Sequence, residues 1–95
     1  MRFCPWYPLT DAHACAPAEP GMLQLRLADG LIDYPRGKSA MVHYALVPDV
    51  RAAAIALARP GLLCRHLEGG DPRETYARLL AEFERRFGAP PGGVS

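Results

Sequence analysis

Proline and glycine divide this chain into short segments. The 95 residues include ten prolines and nine glycines, one residue in five, against roughly 12% in average proteins. Because proline fixes φ and lacks an N–H, and glycine reaches positive φ without strain, these residues usually stand where helices and strands end. Since 49% of the residues are hydrophobic and 22% are charged, a charge-dominated disordered chain is excluded. We therefore predict one small domain with short connections.

The first twenty residues differ from the rest of the chain. They contain four prolines and the only tryptophan, which disfavours a regular element, yet Phe3, Trp6 and Tyr7 make the segment too apolar for a free tail. We predict that residues 1–20 form an extended aromatic arm packed on a single domain of residues 21–88. Residues 89–95 are expected to form a flexible tail.

Three segments are predicted to be strands. In residues 22–28, leucines alternate with Gln24 and Arg26, a period of two that indicates a half-buried strand. Turn residues then surround a brief extended stretch at 31–34. Residues 40–47 form a near-continuous apolar run, which predicts a central strand covered on both faces. Residues 62–68 are the third candidate.

Two segments carry helix signals. Asp49 is a candidate N-cap for a helix that Pro60 and Gly61 would end. Asp71 and Pro72 begin a second helix, which Gly88 ends. Its apolar face has helical spacing and consists of Tyr76, Leu79, Leu80, Phe83 and Phe87. The fold class predicted is α+β, with a small three-stranded, mainly antiparallel sheet, two or three flanking helices and the order β-β-α-β-α.

Charge and cysteine content restrict the setting and the partners. Eleven basic residues against ten acidic ones give a net charge of +1, which is not the strongly basic balance of a typical nucleic-acid-binding domain. No segment approaches the ~18 uninterrupted apolar residues of a membrane span, so no membrane contact is expected. Three cysteines, an odd number, favour a reducing cytoplasm over a disulfide framework.

Two possible ligand motifs have weak spacing. Gly37-Lys38-Ser39 has the end of a phosphate-binding loop but lacks the upstream glycine and the following helix, so a hairpin turn is favoured. A zinc site is not expected, because the candidate donors do not follow the usual spacing and free cysteines are commonly buried as small apolar groups. Those donors are Cys4, His13, Cys15, Cys64 and His66.

Several segments, taken in order, resemble the GIY-YIG nuclease superfamily over residues 20–91. Residues 20–23 (PGML) resemble the Gly-Ile-Tyr strand, 42–46 (VHYAL) the Tyr-Ile-Gly strand, 49–51 (DVR) the start of a basic helix, and 80–82 (LAE), with Pro90 and Pro91 beyond, the glutamate segment. The resemblance implies that Tyr44 orients or activates water, Arg51 contacts the phosphate and Glu82 holds Mg²⁺. Arg36, Lys38 and Arg65 are then expected to bind DNA.

The departures from the family pattern bear on activity. Leu23 stands where the family has a tyrosine, Leu46 replaces a glycine, and Arg51 lies less than a turn before the position of the family arginine, near Ala53 or Ala54. The resemblance therefore implies a fold and DNA association more than hydrolysis, with Mg²⁺ needed only if hydrolysis survives. The alternative function is protein interaction or self-association through Phe3, Trp6 and Tyr7, whose apolar surface would suit a contact patch.

Overall fold

The computed structural model describes residues 2–92, so Met1 and the last three residues of the predicted tail lie outside the described residues. This part of the chain contains seven strands and three α-helices. The strands are β1 (Arg2–Phe3), β2 (Tyr7–Pro8), β3 (Gly21–Leu27), β4 (Ile32–Tyr34), β5 (Gly37–Ser39), β6 (Met41–Val47) and β7 (Leu62–Gly69). The helices are α1 (Ala12–Cys15), α2 (Val50–Leu57) and α3 (Pro72–Phe87), and a short 3-10 turn (Leu9–Asp11) precedes α1.

The main sheet is antiparallel and has five strands. β6, β3 and β7 lie side by side, and β1 and β2 both pair with the outer edge of β7. β4 and β5 form a separate hairpin. The α+β class is confirmed, and the predicted order of the larger elements is observed, but the sheet has five strands in place of the three expected.

The apolar run in β6 did not indicate a central position. β6 lies at one end of the sheet, whereas β3 and β7 are internal. The predicted cover on both faces is also wrong for β6, because none of its residues is fully buried and Leu46 is exposed. The fully covered strand is β3, which is not half-buried as predicted, since residues 21–25 are all buried.

Two helical layers produce this burial. On one face, Leu23 and Leu25 of β3 pack with Val50 and Ala54 of α2 and with the start of the chain around Leu9. On the opposite face, α3 packs against β6 and β3. Successive strand residues point to opposite faces, so β3 supplies both layers.

The aromatic arm is part of the sheet. Tyr7 pairs with Cys64 and Pro8 with Leu63, and the Cys4 N–H donates to the His66 carbonyl oxygen over 3.0 Å. The prediction of an arm without regular elements is therefore wrong, although its packing on the domain is observed. Proline is tolerated here because an edge strand can leave one side of its backbone unpaired.

The helix termini follow their sequence signals. The Asp49 carboxylate accepts from the Ala52 N–H at the start of α2, and the Asp71 carboxylate accepts from the first N–H groups of α3. Gly88 ends α3 with φ of 80°, a left-handed conformation that glycine adopts without strain. Within residues 2–92, none of the helices combines the length and apolar character needed to cross a membrane.

Candidate functional site

A cleft of about 610 Å³ lies between α3 and the neighbouring sheet and hairpin. Its volume falls in the range of small-molecule pockets. The residues that line it are Lys38, Ser39, Met41, Tyr44, Arg65, Leu79, Glu82, Phe83, Arg85, Arg86 and Phe87. Four of the six residues that the sequence suggested for a site, Tyr44, Lys38, Arg65 and Glu82, are thus brought together here.

A row of three residues crosses the sheet at this cleft. Gln24 of β3 lies directly opposite Tyr44 of β6 on one side and Arg65 of β7 on the other. Residues opposite each other in an antiparallel pair share a face, so Tyr44 and Arg65 project on the same side, about 10 Å apart by two strand spacings. Arg65 Nε donates to Gln24 Oε1 over 2.7 Å, which fixes the guanidinium relative to the row.

Arg65 carries a half-buried charge that lacks an acidic partner. Its guanidinium carbon lies 4.3 Å from the ring centre of Phe3 and 4.4 Å from that of Trp6. Burial lowers its pKa, but arginine starts so high that the group stays protonated. No carboxylate of residues 2–92 forms an ion pair with it, so an anion from outside the chain would meet little competition.

Tyr44 is held against α3. Its ring meets the Phe83 ring edge to face, with centres 5.7 Å apart, an arrangement that favours a fixed orientation. Burial, aided by nearby Glu82 and opposed by Arg65, raises the pKa of the Tyr44 hydroxyl. The hydroxyl therefore keeps its proton at neutral pH and acts as a hydrogen-bond donor toward an anion.

The charges around the cleft are mostly positive. Lys38, Arg65, Arg85 and Arg86 line it together with a single carboxylate, that of exposed Glu82. Lys38 also meets Asp33 across the hairpin at 3.5 Å, but both side chains are exposed, and such pairs contribute little. The excess of positive charge favours a phosphate or another anion over a cation.

The residues present do not fit a resident Mg²⁺ ion. Glu82 is the one carboxylate lining the cleft, and nowhere in residues 2–92 do three His, Cys, Asp or Glu side chains gather in a metal-binding arrangement. Mg²⁺ bound by so few protein oxygens depends on substrate phosphates for the rest of its shell. The neighbouring cationic side chains would also repel a Mg²⁺ ion, so the residues of the cleft do not support a metal-dependent catalytic step.

Two predicted site residues lie outside the cleft. Arg51 lies in the first turn of α2 on the other face of the sheet, where its Nε donates to the Ala16 carbonyl over 2.7 Å. Arg36 donates from Nη1 to the Arg85 carbonyl at the end of α3, also over 2.7 Å. Cations often bind the free carbonyls of a helix C-terminus, so both arginines hold structure, and Arg51 is not placed near Tyr44.

The buried cysteines and a histidine form a polar cluster beneath the arm. The Tyr7 hydroxyl and the Cys4 thiol lie 3.2 and 3.3 Å from His66 Nδ1, and the Cys64 thiol donates toward the Tyr7 hydroxyl over 3.5 Å. Burial lowers the pKa of His66 and raises those of both thiols. These neutral groups satisfy one another, and exposed Cys15 stays a separate free thiol.

The sequence reasoning missed several residues of the site. Gln24 was expected on an open face of a half-buried strand, yet its side chain is only 1% exposed. Trp6 is expected to pack on the domain or to contact a partner, and the sequence does not indicate that its ring packs on Arg65. Arg85 and Arg86 are not among the site residues that the sequence predicts. The two adjacent arginines at the end of an amphipathic helix were the available signal.

No family model, curated protein or solved structure matches the chain significantly.

Proposed function

We propose that the protein binds DNA through its phosphates in the cleft between α3 and the sheet. One observation carries the proposal: four cationic side chains and one carboxylate line this cleft, in a chain whose total charge is only +1. Arginine suits this task because its planar guanidinium binds phosphate oxygens in pairs. Arg65 is the central group, since the described structure offers it no competing carboxylate.

We propose that the protein binds DNA and does not hydrolyse its phosphodiester bonds. A GIY-YIG-like reaction would need a tyrosine, an arginine and a metal-bound carboxylate around one phosphate. Tyr44 and Glu82 line the cleft, but Arg51 lies on the opposite face of the sheet, and Glu82 belongs to no cluster of three or more His, Cys, Asp or Glu side chains within residues 2–92. Arg65 or Arg85 would have to supply the missing cation, and Glu82 is the only carboxylate among the described residues that line the cleft.

Fluorescence anisotropy with a labelled DNA oligonucleotide tests the proposal. Arg65→Gln should weaken binding about tenfold, as expected from the loss of ~1.5 kcal/mol or more in a charge-assisted contact. Between about 50 and 200 mM salt, the slope of log affinity against log salt should also fall by about one unit for each lost phosphate contact.

The matched controls are Arg59→Gln and Arg73→Gln. Both remove the same charge from exposed positions that do not line the cleft, so they should leave affinity nearly unchanged. Equal losses in all three variants would mean that binding follows total charge and not the cleft. No binding by the parent protein at low salt would refute the proposal.

Association through the arm is the alternative function. Phe3, Trp6 and Tyr7 are each half-buried, and all three have partners inside the chain, Arg65 for the first two and His66 for the third. These contacts reduce the apolar surface left for a partner. Light scattering would detect a dimer that Trp6→Ser disrupts, and such a result would favour the alternative.

A further inference from the structure

The cleft continues into a cluster of two arginines and two aromatic rings, here called the arginine–aromatic cluster: Phe3, Trp6, Arg26 and Arg65. The Arg65 guanidinium carbon lies within 4.4 Å of both ring centres, and that of Arg26 lies 5.4 Å from the Trp6 ring centre. All four side chains are half-buried, so each keeps part of its surface in solvent.

Arg65 joins this cluster to the cleft. It lines the cleft while it packs on the rings of the arm. Arg26 lies two residues beyond Gln24 on β3, so it projects from the same face of the sheet. This face of the sheet therefore carries both the cleft cation Arg65 and a second arginine, Arg26, and both contact the Trp6 ring.

We propose that the ligand is single-stranded DNA, whose phosphates bind the cations of the cleft while an unpaired base stacks on the arginine–aromatic cluster at Trp6. This inference rests on the proposed function and narrows its substrate class. Unpaired bases stack on aromatic rings and on guanidinium planes, an interaction that tolerates any base because every base has a flat face. In a duplex those faces are already covered by neighbouring base pairs.

The dimensions of the cleft favour the same ligand. A volume of about 610 Å³ is that of a small-molecule pocket, a size that suits a single nucleotide unit. The half-buried Tyr44 and Phe87 rings and the buried Phe83 ring contribute to its apolar part. Arg65 then lies at the junction where the strand passes from the cleft to Trp6.

Because Trp6 is the only tryptophan, its own emission reports on stacking. The probes are an oligothymidine of about 16 nucleotides, a duplex of the same length and inorganic polyphosphate, all at low salt. The oligothymidine should quench Trp6 saturably and bind at least about fivefold more tightly than the duplex, the lower end expected for one stacked base. Polyphosphate should bind without comparable quenching.

Two variants separate stacking from charge. Trp6→Leu should weaken oligothymidine binding about fivefold or more and leave polyphosphate binding nearly unchanged, whereas Trp6→Phe should recover most of the loss. Equal affinity for single strand and duplex, with no change in Trp6 emission, would overturn the inference while the proposed function stands. Failure of every probe to bind would refute the proposed function as well.

Discussion

Arg65 Nε and Gln24 Oε1 form a 2.7 Å hydrogen bond between neighbouring strands, and it links the buried interior to the charged cleft. Gln24 is 1% exposed, so its side-chain amide has little access to water as an alternative hydrogen-bond partner. The bond uses one of the five N–H groups of the guanidinium. The terminal nitrogens of Arg65 have no other hydrogen-bond partner within residues 2–92, which leaves them for an anion.

Replacing Gln24 should therefore affect both stability and binding. Gln24→Leu removes the acceptor and leaves the Arg65 N–H half-buried and unpaired, so the free energy of unfolding should fall by about 1–3 kcal/mol. Urea denaturation measures this change. DNA affinity should fall as well, because the guanidinium loses its fixed position.

The control for that experiment is Gln24→Glu. A carboxylate still accepts from Arg65 but adds a negative charge beneath the cleft, so DNA affinity should fall more than in Gln24→Leu while the Arg65 position is kept. A Gln24→Glu protein that binds DNA as well as the parent would contradict a role for Arg65 in phosphate binding.

Glu82 should oppose DNA binding. Its carboxylate is the single acidic group lining the cleft, so Glu82→Gln should tighten binding about two- to fivefold at low salt, the effect of one exposed charge. Glu84→Gln is the matched control, because Glu84 is exposed on the same helix but does not line the cleft. Weaker binding by Glu82→Gln would indicate that the carboxylate contacts the ligand through a cation.

A nicking assay on supercoiled DNA, with Mg²⁺ or Mn²⁺, tests for residual nuclease activity. We expect no metal-dependent nicking by the parent protein, because one exposed carboxylate among four cations is a poor metal site. Nicking that is present in the parent and lost in Glu82→Ala would overturn this expectation and assign Glu82 the metal-binding role that the family resemblance implies.

The sequence predicts local structure better than it predicts which residues meet. Asp71, Pro72 and Gly88 mark the two ends of α3 because capping depends on a few adjacent residues. The order of strands in the sheet depends on pairing between segments that are far apart in the sequence. The local sequence therefore predicts neither the edge position of β6 nor the pairing of the arm with β7. Arg51 was assigned to the site for its position along the chain, but α2 and α3 cover opposite faces.

Arg51 should contribute to the stability of the fold and not to DNA binding. Its Nε donates to the Ala16 carbonyl, and its backbone N–H donates to the Pro17 carbonyl, so the side chain ties α2 to the end of the arm. Arg51→Gln should lower the free energy of unfolding by about 1 kcal/mol, measured by urea denaturation, and leave DNA affinity within about twofold of the parent. A loss of DNA affinity as large as that of Arg65→Gln would show that Arg51 contributes to DNA binding.

The fold should lose stability in mild acid because of His66. Its Nδ1 lies 3.2 Å from the Tyr7 hydroxyl and 3.3 Å from the Cys4 thiol, in a buried cluster that disfavours the charged imidazolium. Burial lowers the pKa of His66 from 6.5, with Glu68 and Glu19 opposing the shift, and burial also lowers that of His43. The unfolded chain therefore binds more protons than the folded chain below about pH 6.5.

The stability that depends on neutral His66 and His43 should consequently be complete above pH 6.5. It should decline as the pH falls toward the lowered pKa values of these histidines in the folded protein. Urea denaturation between pH 7.5 and 5.5 measures the slope. His66→Asn and His43→Asn should each flatten that slope, whatever their effect on stability at pH 7.5, whereas His13→Asn, at an exposed position, should leave it unchanged. A slope that persists in a protein lacking both His43 and His66 would assign the acid sensitivity to the carboxylates.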